Sequence, residues 1–139
     1  MRRTLLASGS VVAMFFVALV GVASAVDVKV TLSGSQEVPG VTSAASGSGT
    51  ITIGDDMSVS GSVTTTGIAG TAAHIHMAAA GKNGPVAVPL TKSGDGEWTV
   101  QAGAKLNDAQ YAAFKAGDLY VNIHTDANKG GEIRGQLNP

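Results

Sequence analysis

Three histidines in two short segments are the residues of this chain whose types and spacing best suit metal binding. His74 and His76 stand two residues apart in the segment 71–78, and His124 follows in a later segment. Side chains alternate across a β-strand, so His74 and His76 point to the same side, roughly 6.5 to 7 Å apart along the strand. Two imidazoles at this spacing can converge on one ion.

The segment that carries His124 predicts one half of a hairpin with a polar face. Residues 118–125 and 132–137 alternate between apolar and polar side chains on either side of a turn at 126–131. Antiparallel pairing puts like faces together, and one register places His124 opposite Glu132. The polar face then pairs Asn122 with Arg134 and Tyr120 with Gln136. A register two residues away keeps the face and changes the partners.

A transition-metal site is one interpretation of these residues. The candidate ligands are His74, His76, His124 and Glu132, with Glu37, a water molecule or a partner as alternatives for completing the site. Three neutral imidazoles suit Cu(II) or Zn(II), and three histidines with an open fourth position form a known zinc arrangement. The cofactor expected from this interpretation is copper or zinc.

Three other interpretations of the polar residues remain open. The first is a buried hydrogen-bond network that fixes one part of the fold, and the second is an ordinary solvated outer face. The third is a hydrolase, but no Gly-x-Ser-x-Gly elbow lies between a strand and a helix, because Gly47-Ser48-Gly49 falls in a flexible stretch. The residues therefore favour a non-catalytic protein over an enzyme.

The elements that must position these side chains are predicted to be almost entirely strands. Short alternating segments recur with Gly, Asp, Asn and Ser between them, which is typical of an antiparallel β-sandwich or a partly open barrel. We expect an all-β fold of about eight strands with one short helix at 108–116, where Asn107 and Gln110 form a capping box. The predicted strands are 28–32, 50–53, 57–66, 71–77, 86–90, 97–101, 118–125 and 132–137.

The first residues predict export. Arg2 and Arg3 precede an uncharged, mainly apolar run, which ends in Ala23-Ser24-Ala25, the small-x-small pattern of a signal peptidase site. The alternative is an uncleaved membrane anchor. We expect a signal peptide at 1–25, one domain at 26–139, no stable membrane span after cleavage, and a periplasmic or secreted protein.

Composition excludes several other functions. The net charge of the chain is −1, and loss of the two arginines with the signal peptide makes it −3. No basic patch exists that would bind nucleic acid. The absence of cysteine excludes disulfides, thiolate ligands and cysteine nucleophiles, so stability must come from sheet pairing, packing or a bound ion.

Five ordered blocks carry a resemblance to a known family. They are Leu32-Ser33-Gly34-Ser35-Gln36-Glu37-Val38-Pro39, Ala73-His74-Ile75-His76, Gly81-Lys82-Asn83-Gly84-Pro85-Val86, Tyr120-Val121-Asn122-Ile123-His124-Thr125 and Gly131-Glu132-Ile133-Arg134-Gly135-Gln136-Leu137. Together they resemble the chordin-type (CHRD) domain, with departures at Gly40, Met77 and Lys129. The resemblance implies an extracytoplasmic β-rich domain and carries no particular chemistry. As a structural or interaction module, the chain would meet a protein of the envelope or extracellular space, or an envelope polymer, through 81–85 or 36–48.

Overall fold

A computed structural model of the protein describes residues 21–139, in which eight strands and one α-helix follow one another. The elements are β1 (Ala25–Ser33), β2 (Ser46–Gly54), β3 (Val59–Thr66), β4 (Ala72–Met77), β5 (Val86–Gly94), β6 (Glu97–Val100), α1 (Asp108–Lys115), β7 (Leu119–His124) and β8 (Ile133–Leu137). A short 3-10 helix at Gly34–Gln36 follows β1. All strand pairs are antiparallel, and the sheet closes into a barrel. The predicted all-β class, strand number and short helix are confirmed.

Alternating side chains explain why these segments form a barrel with an apolar interior. In β1 the side chains of Val28, Val30 and Leu32 are buried, whereas Lys29 and Thr31 between them are exposed. The other strands add to the same core through residues that point inward. This set includes Ile51, Ile53, Val63, Ile75, Val88, Trp98, Leu119, Val121, Ile123, Ile133 and Leu137.

The order of the strands around the barrel brings distant segments together. The order is β1-β2-β3-β6-β5-β4-β7-β8, and β8 returns to β1 through the pair Ser33 and Arg134. Strand β7 therefore lies between β4 and β8, although β5, β6 and the helix separate it from β4 along the chain. The two segments that carry the histidines become neighbouring strands in this way.

The β2 strand begins earlier than expected. The Gly, Ser, Ala and Pro residues of the segment 36–48 predict a loop or an irregular edge, but β2 starts at Ser46 and pairs with β1 over its whole length and with β3 over 46–53. Glycine allows this close pairing, because a Cβ at Gly49 would come within 2.7 Å of the Val63 Cα. The irregular part of the segment is limited to residues 37–45.

The helix begins and ends as its sequence predicts. The Asn107 side chain accepts a hydrogen bond from the Gln110 backbone N–H at 2.8 Å, and the Gln110 side chain accepts from the Asn107 N–H at 2.9 Å. Gly117 follows the helix with a φ of +79°, a conformation that favours glycine. Phe114 anchors the helix in the core.

Most of the predicted signal peptide lies outside the described residues. Within residues 21–139, no helix has the length and apolar character needed to cross a membrane. Ala25 is the first residue of β1, and the first buried side chain of that strand is Val28. Cleavage after Ala25 would therefore leave the core intact.

Candidate metal centre

The three histidines project from the outer side of the barrel wall and meet there. In the pairing of β4 with β7, Ala72 opposes His124, His74 opposes Asn122, and His76 opposes Tyr120. One ring nitrogen from each of the three histidines can be chosen so that all three atoms lie within 4.8 Å of one another. The ring centroids are 4.9 to 5.8 Å apart. This confirms the prediction that the three imidazoles share a face.

Backbone carbonyls hold two of the rings. His76 Nδ1 lies 2.9 Å from the Gly84 carbonyl oxygen, and His124 Nδ1 lies 2.8 Å from the Lys129 carbonyl oxygen. A carbonyl oxygen can only accept, so each Nδ1 must carry its hydrogen and each neutral ring leaves a lone pair on Nε2. The His76 Nε2 is buried without any hydrogen-bond partner in residues 21–139. Both rings therefore present an unprotonated nitrogen in a fixed orientation.

The third ring is joined to the second. His74 Nδ1 lies 3.0 Å from His124 Nε2. Because the hydrogen of a neutral His124 is on its Nδ1, its Nε2 is the acceptor and His74 Nδ1 is the donor. The hydrogen bond holds the ring of His74 against that of His124, and it occupies one of the nitrogens that a metal would need.

Burial favours the neutral form of His74 and His76. Desolvation lowers the pKa of His74, and the neighbouring His124 and His76 lower it further. Desolvation is also the largest cause of the lowered pKa of His76, partly opposed by its hydrogen bond to the Gly84 carbonyl. Neutral imidazole is the form that coordinates metal ions.

The histidines lie close together but are not in coordination geometry. Zinc–nitrogen bonds are about 2.0 to 2.1 Å long and tetrahedral, so two nitrogens on one ion are roughly 3.3 to 3.4 Å apart. The present spacing of up to 4.8 Å exceeds this separation by more than 1 Å. An ion would require the rings to move together and the hydrogen bond between His74 and His124 to be released.

An aromatic and cationic stack supports the cluster. The rings of His76 and Tyr120 are stacked, with centroids 5.0 Å apart and planes 6° from parallel. The Arg134 guanidinium carbon lies 3.4 Å from the centroid of the Tyr120 ring. Strand β7 lies between β4 and β8, so the two groups reach Tyr120 from opposite sides. The stack fixes the plane of the His76 ring.

Arg134 also fastens a loop over this surface. Its guanidinium donates to the carbonyl oxygens of Lys82 at 2.8 Å and Ala79 at 3.1 Å, and only 1% of the residue is exposed. The backbone N–H of Gly84 donates to the Tyr120 hydroxyl at 3.3 Å. The loop 78–85 is thus held where its Gly84 carbonyl can orient His76.

The polar face is therefore a covered layer, and the interpretation as a plain solvated face is wrong. The predicted hairpin register is confirmed, because Asn122 opposes Arg134 and Tyr120 opposes Gln136. Both Tyr120 and Asn122 are at most 2% exposed, although they point away from the barrel interior. Tyr120 contacts the His76 ring, the Arg134 guanidinium and the Gly84 N–H, and Asn122 donates to the Gly130 carbonyl.

Glu132 lies apart from the histidines. Its Oε1 accepts from the Ser43 hydroxyl at 2.8 Å, and its Oε2 accepts from the Thr125 hydroxyl at 2.7 Å. These hydrogen bonds lower the pKa of Glu132. The group of potential ligands that come within reach of one another contains the three histidines without Glu132. Its carboxylate fastens the 37–45 segment to the barrel.

Glu37 is buried on the same side of the barrel. It is 5% exposed, its Oε1 makes no hydrogen bond to residues 21–139, and desolvation raises its pKa to about 7. The positive charge of Arg134 and the nearby Asn122 amide, which approaches without a well-formed hydrogen bond, oppose this rise. Side-chain patterning gave no sign of this burial, because Glu37 lies in an irregular segment.

Comparison with known proteins gives one clear match. The family model for the CHRD domain matches residues 28–137, which is most of the chain and includes all three histidines. No curated protein and no solved structure is matched by this chain. A match of this extent, over the strands, loops and polar layer described above, shows that the chain belongs to the CHRD domain family.

Proposed function

We propose that this protein is an exported CHRD domain protein that binds copper or zinc through His74, His76 and His124. The observation that carries the proposal is the pair of backbone carbonyls that hold Nδ1 of His76 and His124. Ligating histidines in proteins almost always donate their other ring N–H to a carbonyl or carboxylate, which fixes the tautomer. The cluster has this outer arrangement already in place.

The unpaired nitrogen of His76 supports the same proposal. A buried acceptor without a donor costs free energy, of the order of 1 to 3 kcal/mol. The Asn122 Oδ1 nearby is a second buried acceptor without a partner in residues 21–139. A cation between the imidazoles would bind the lone pair of His76 Nε2, which has no other partner in residues 21–139.

The donor set selects the class of metal. Calcium and magnesium prefer oxygen ligands, and the cluster offers imidazole nitrogens. Copper(II) and zinc(II) both accept three imidazoles and a further ligand such as water. Glu132 does not belong to the proposed ligand set, because joining it would break the hydrogen bonds from Ser43 and Thr125.

Export forms the second part of the proposal. It is supported by the small-residue pattern Ala23-Ser24-Ala25 and the positively charged start of the chain. The protein would act in the periplasm or outside the cell.

Calorimetric titration of the tag-free protein with Cu(II) and with Zn(II) tests the metal site. We expect one ion per chain, with affinity reduced at least about tenfold in His76→Ala and in His124→Ala. Lys129→Ala is the matched control, because the Lys129 backbone carbonyl holds His124 and its exposed side chain does not. Absence of binding by both metals, or equal binding in the histidine variants, would refute the proposal.

A structural or interaction module is the second candidate function, and the CHRD family membership supports it. The specific observation in its favour is the way Arg134, Gln136 and Asn83 fasten the loops to the barrel. Gln136 donates to the carbonyls of Ala78 and Gly117, and Asn83 donates to that of Val38 at 2.6 Å. Loops held in one conformation form a surface that a partner can recognise without ordering them first.

A further inference from the structure

We propose that an open cleft beside the histidine cluster binds a primary alkylammonium group, with Glu37 as its carboxylate partner. The cleft has a volume of about 210 Å³ and lies between the irregular segment after β1 and the loops before β5 and β8. Glu37, Val38, Val41, Asn83 and Gly131 are among its lining residues. The site is separate from the proposed metal ligands and does not depend on them.

The side-chain amide donors beside the cleft already make hydrogen bonds. The Asn83 Nδ2 donates to the Val38 carbonyl, and the Asn122 Nδ2 donates to the Gly130 carbonyl at 3.3 Å. Among residues 21–139, the cleft-lining residue with a buried unpartnered atom is Glu37, whose Oε1 is an acceptor. A ligand that satisfies this site must bring hydrogen-bond donors.

The charge at the cleft selects a cationic donor. Arg134 supplies the positive charge that acts on Glu37, but its guanidinium N–H groups point to the carbonyls of Ala79 and Lys82. Among residues 21–139, the Glu37 carboxyl is therefore buried without a cation bonded to it. An ammonium offers three donors and a full positive charge, which is what an under-solvated carboxylate requires.

The apolar wall selects an alkyl stem. Val38, Pro39 and Val41 line the cleft together with Glu37 and belong to the same segment of the chain. A short carbon chain ending in an ammonium can pack along apolar surface while its head meets a carboxylate, as lysine side chains do. The ligand is then a free alkylamine or the lysine side chain of a partner protein.

Glycine at position 131 keeps the carboxyl in reach. Gly131 has a φ of +126°, and a Cβ there would collide with the Glu37 carboxyl and the Asn122 amide. A side chain at this position would push Glu37 away from the cleft. The close approach of this backbone to Glu37 is therefore part of the site.

Titration of ¹⁵N-labelled protein followed by NMR tests this proposal. We expect n-butylamine to give saturable shifts in the amides of Gly130 and Gly131, and n-butanol of similar shape to give none. Binding should tighten from about pH 6 to about pH 8, because burial raises the pKa of Glu37 to about 7 and the ammonium needs the ionised carboxylate. Glu37→Gln should weaken binding at least about tenfold, which corresponds to 1.4 kcal/mol. Glu97→Gln, on an exposed strand position, should leave it unchanged.

Two further arms identify the source of the ammonium. If Nα-acetyl-lysine amide binds as tightly as n-butylamine, the natural ligand is a lysine side chain. If n-butylamine binds and Nα-acetyl-lysine amide does not, the natural ligand is a small free amine. Either result supports an alkylammonium site. Equal binding of n-butanol, no binding of the amines, or unchanged binding in a folded Glu37→Gln variant would overturn the proposal.

Discussion

The Nδ1 atom of His74 lies 3.0 Å from the Nε2 atom of His124, and only one hydrogen can lie between them. Because the Lys129 carbonyl requires the hydrogen of neutral His124 on Nδ1, the shared hydrogen belongs to His74. His76 is in the same state, since its Nδ1 faces the Gly84 carbonyl. The metal-free cluster therefore has one defined pattern of hydrogens.

This pattern predicts that all three histidines of the metal-free protein are Nδ1–H tautomers at neutral pH. Long-range ¹H–¹⁵N correlation spectra distinguish the two ring nitrogens by chemical shift and check the prediction directly. Addition of Zn(II) should shift the Nε2 signals of His76 and His124. An Nε2–H tautomer at His76 would contradict the arrangement, because it would place a donor where the structure leaves a bare acceptor.

Much of this arrangement could be predicted from strand alternation alone. The common face of His74 and His76 follows from their spacing, and the pairing of Asn122 with Arg134 follows from matching polar faces across a hairpin. The adjacency of β4 and β7 does not follow, because it depends on long connections whose path no local pattern determines. The histidines meet only because the barrel brings these two strands together.

Strand alternation also could not predict that loops cover the polar layer. The groups that orient His76 and His124 are carbonyls of Gly84 and Lys129, and every residue has a carbonyl. The burial of Glu37 depends on the path of an irregular segment with no periodicity. Side-chain types reveal donors and ligands, but they do not reveal where a loop backbone lies.

Removal of the Glu37 charge should stabilise the protein in a pH-dependent way. Its folded pKa of about 7 lies above the ordinary glutamate value of 4.5, so the folded state holds the proton more tightly. The wild-type protein then loses stability as pH rises from about 4.5 to about 7, and the penalty persists above that range. The free energy of unfolding of Glu37→Gln, relative to that of wild type, should therefore rise by about 1 to 2 kcal/mol between acidic and mildly basic pH. This value is reduced for solvent screening.

Urea denaturation of both proteins across this pH range measures the difference. Histidine titration affects both proteins alike and cancels in the comparison, provided that the sites are independent. A difference in the free energy of unfolding that stays constant with pH would show that the Glu37 pKa is not raised in the folded state.

Arg134→Lys should loosen the loop 78–85 as well as destabilise the fold. A lysine ammonium is a single point of charge, so it cannot reproduce the planar contact with Tyr120 or bridge the carbonyls of Ala79 and Lys82. We expect a loss of about 2 to 3 kcal/mol in the free energy of unfolding. The hydrogen exchange rate should increase more at the loop amides than at the β2 amides. Uniform exchange across the barrel would mean that Arg134 does not fasten this loop.

Gly131→Ala should cost more than a matched change at another glycine with a positive φ. Gly81 has a φ of +78° and open space where its Cβ would be, so Gly81→Ala measures the cost of a positive φ without a collision. Gly131→Ala adds the collision with the Glu37 carboxyl and the Asn122 amide to a φ of +126°, which alanine adopts less readily than +78°, and we expect about 1 to 3 kcal/mol of further loss in the free energy of unfolding. Denaturant unfolding of the two variants gives the comparison. Equal losses would mean that the Glu37 side chain moves aside at no cost. In that case the closeness of Gly131 to Glu37 would not position the carboxyl at the cleft.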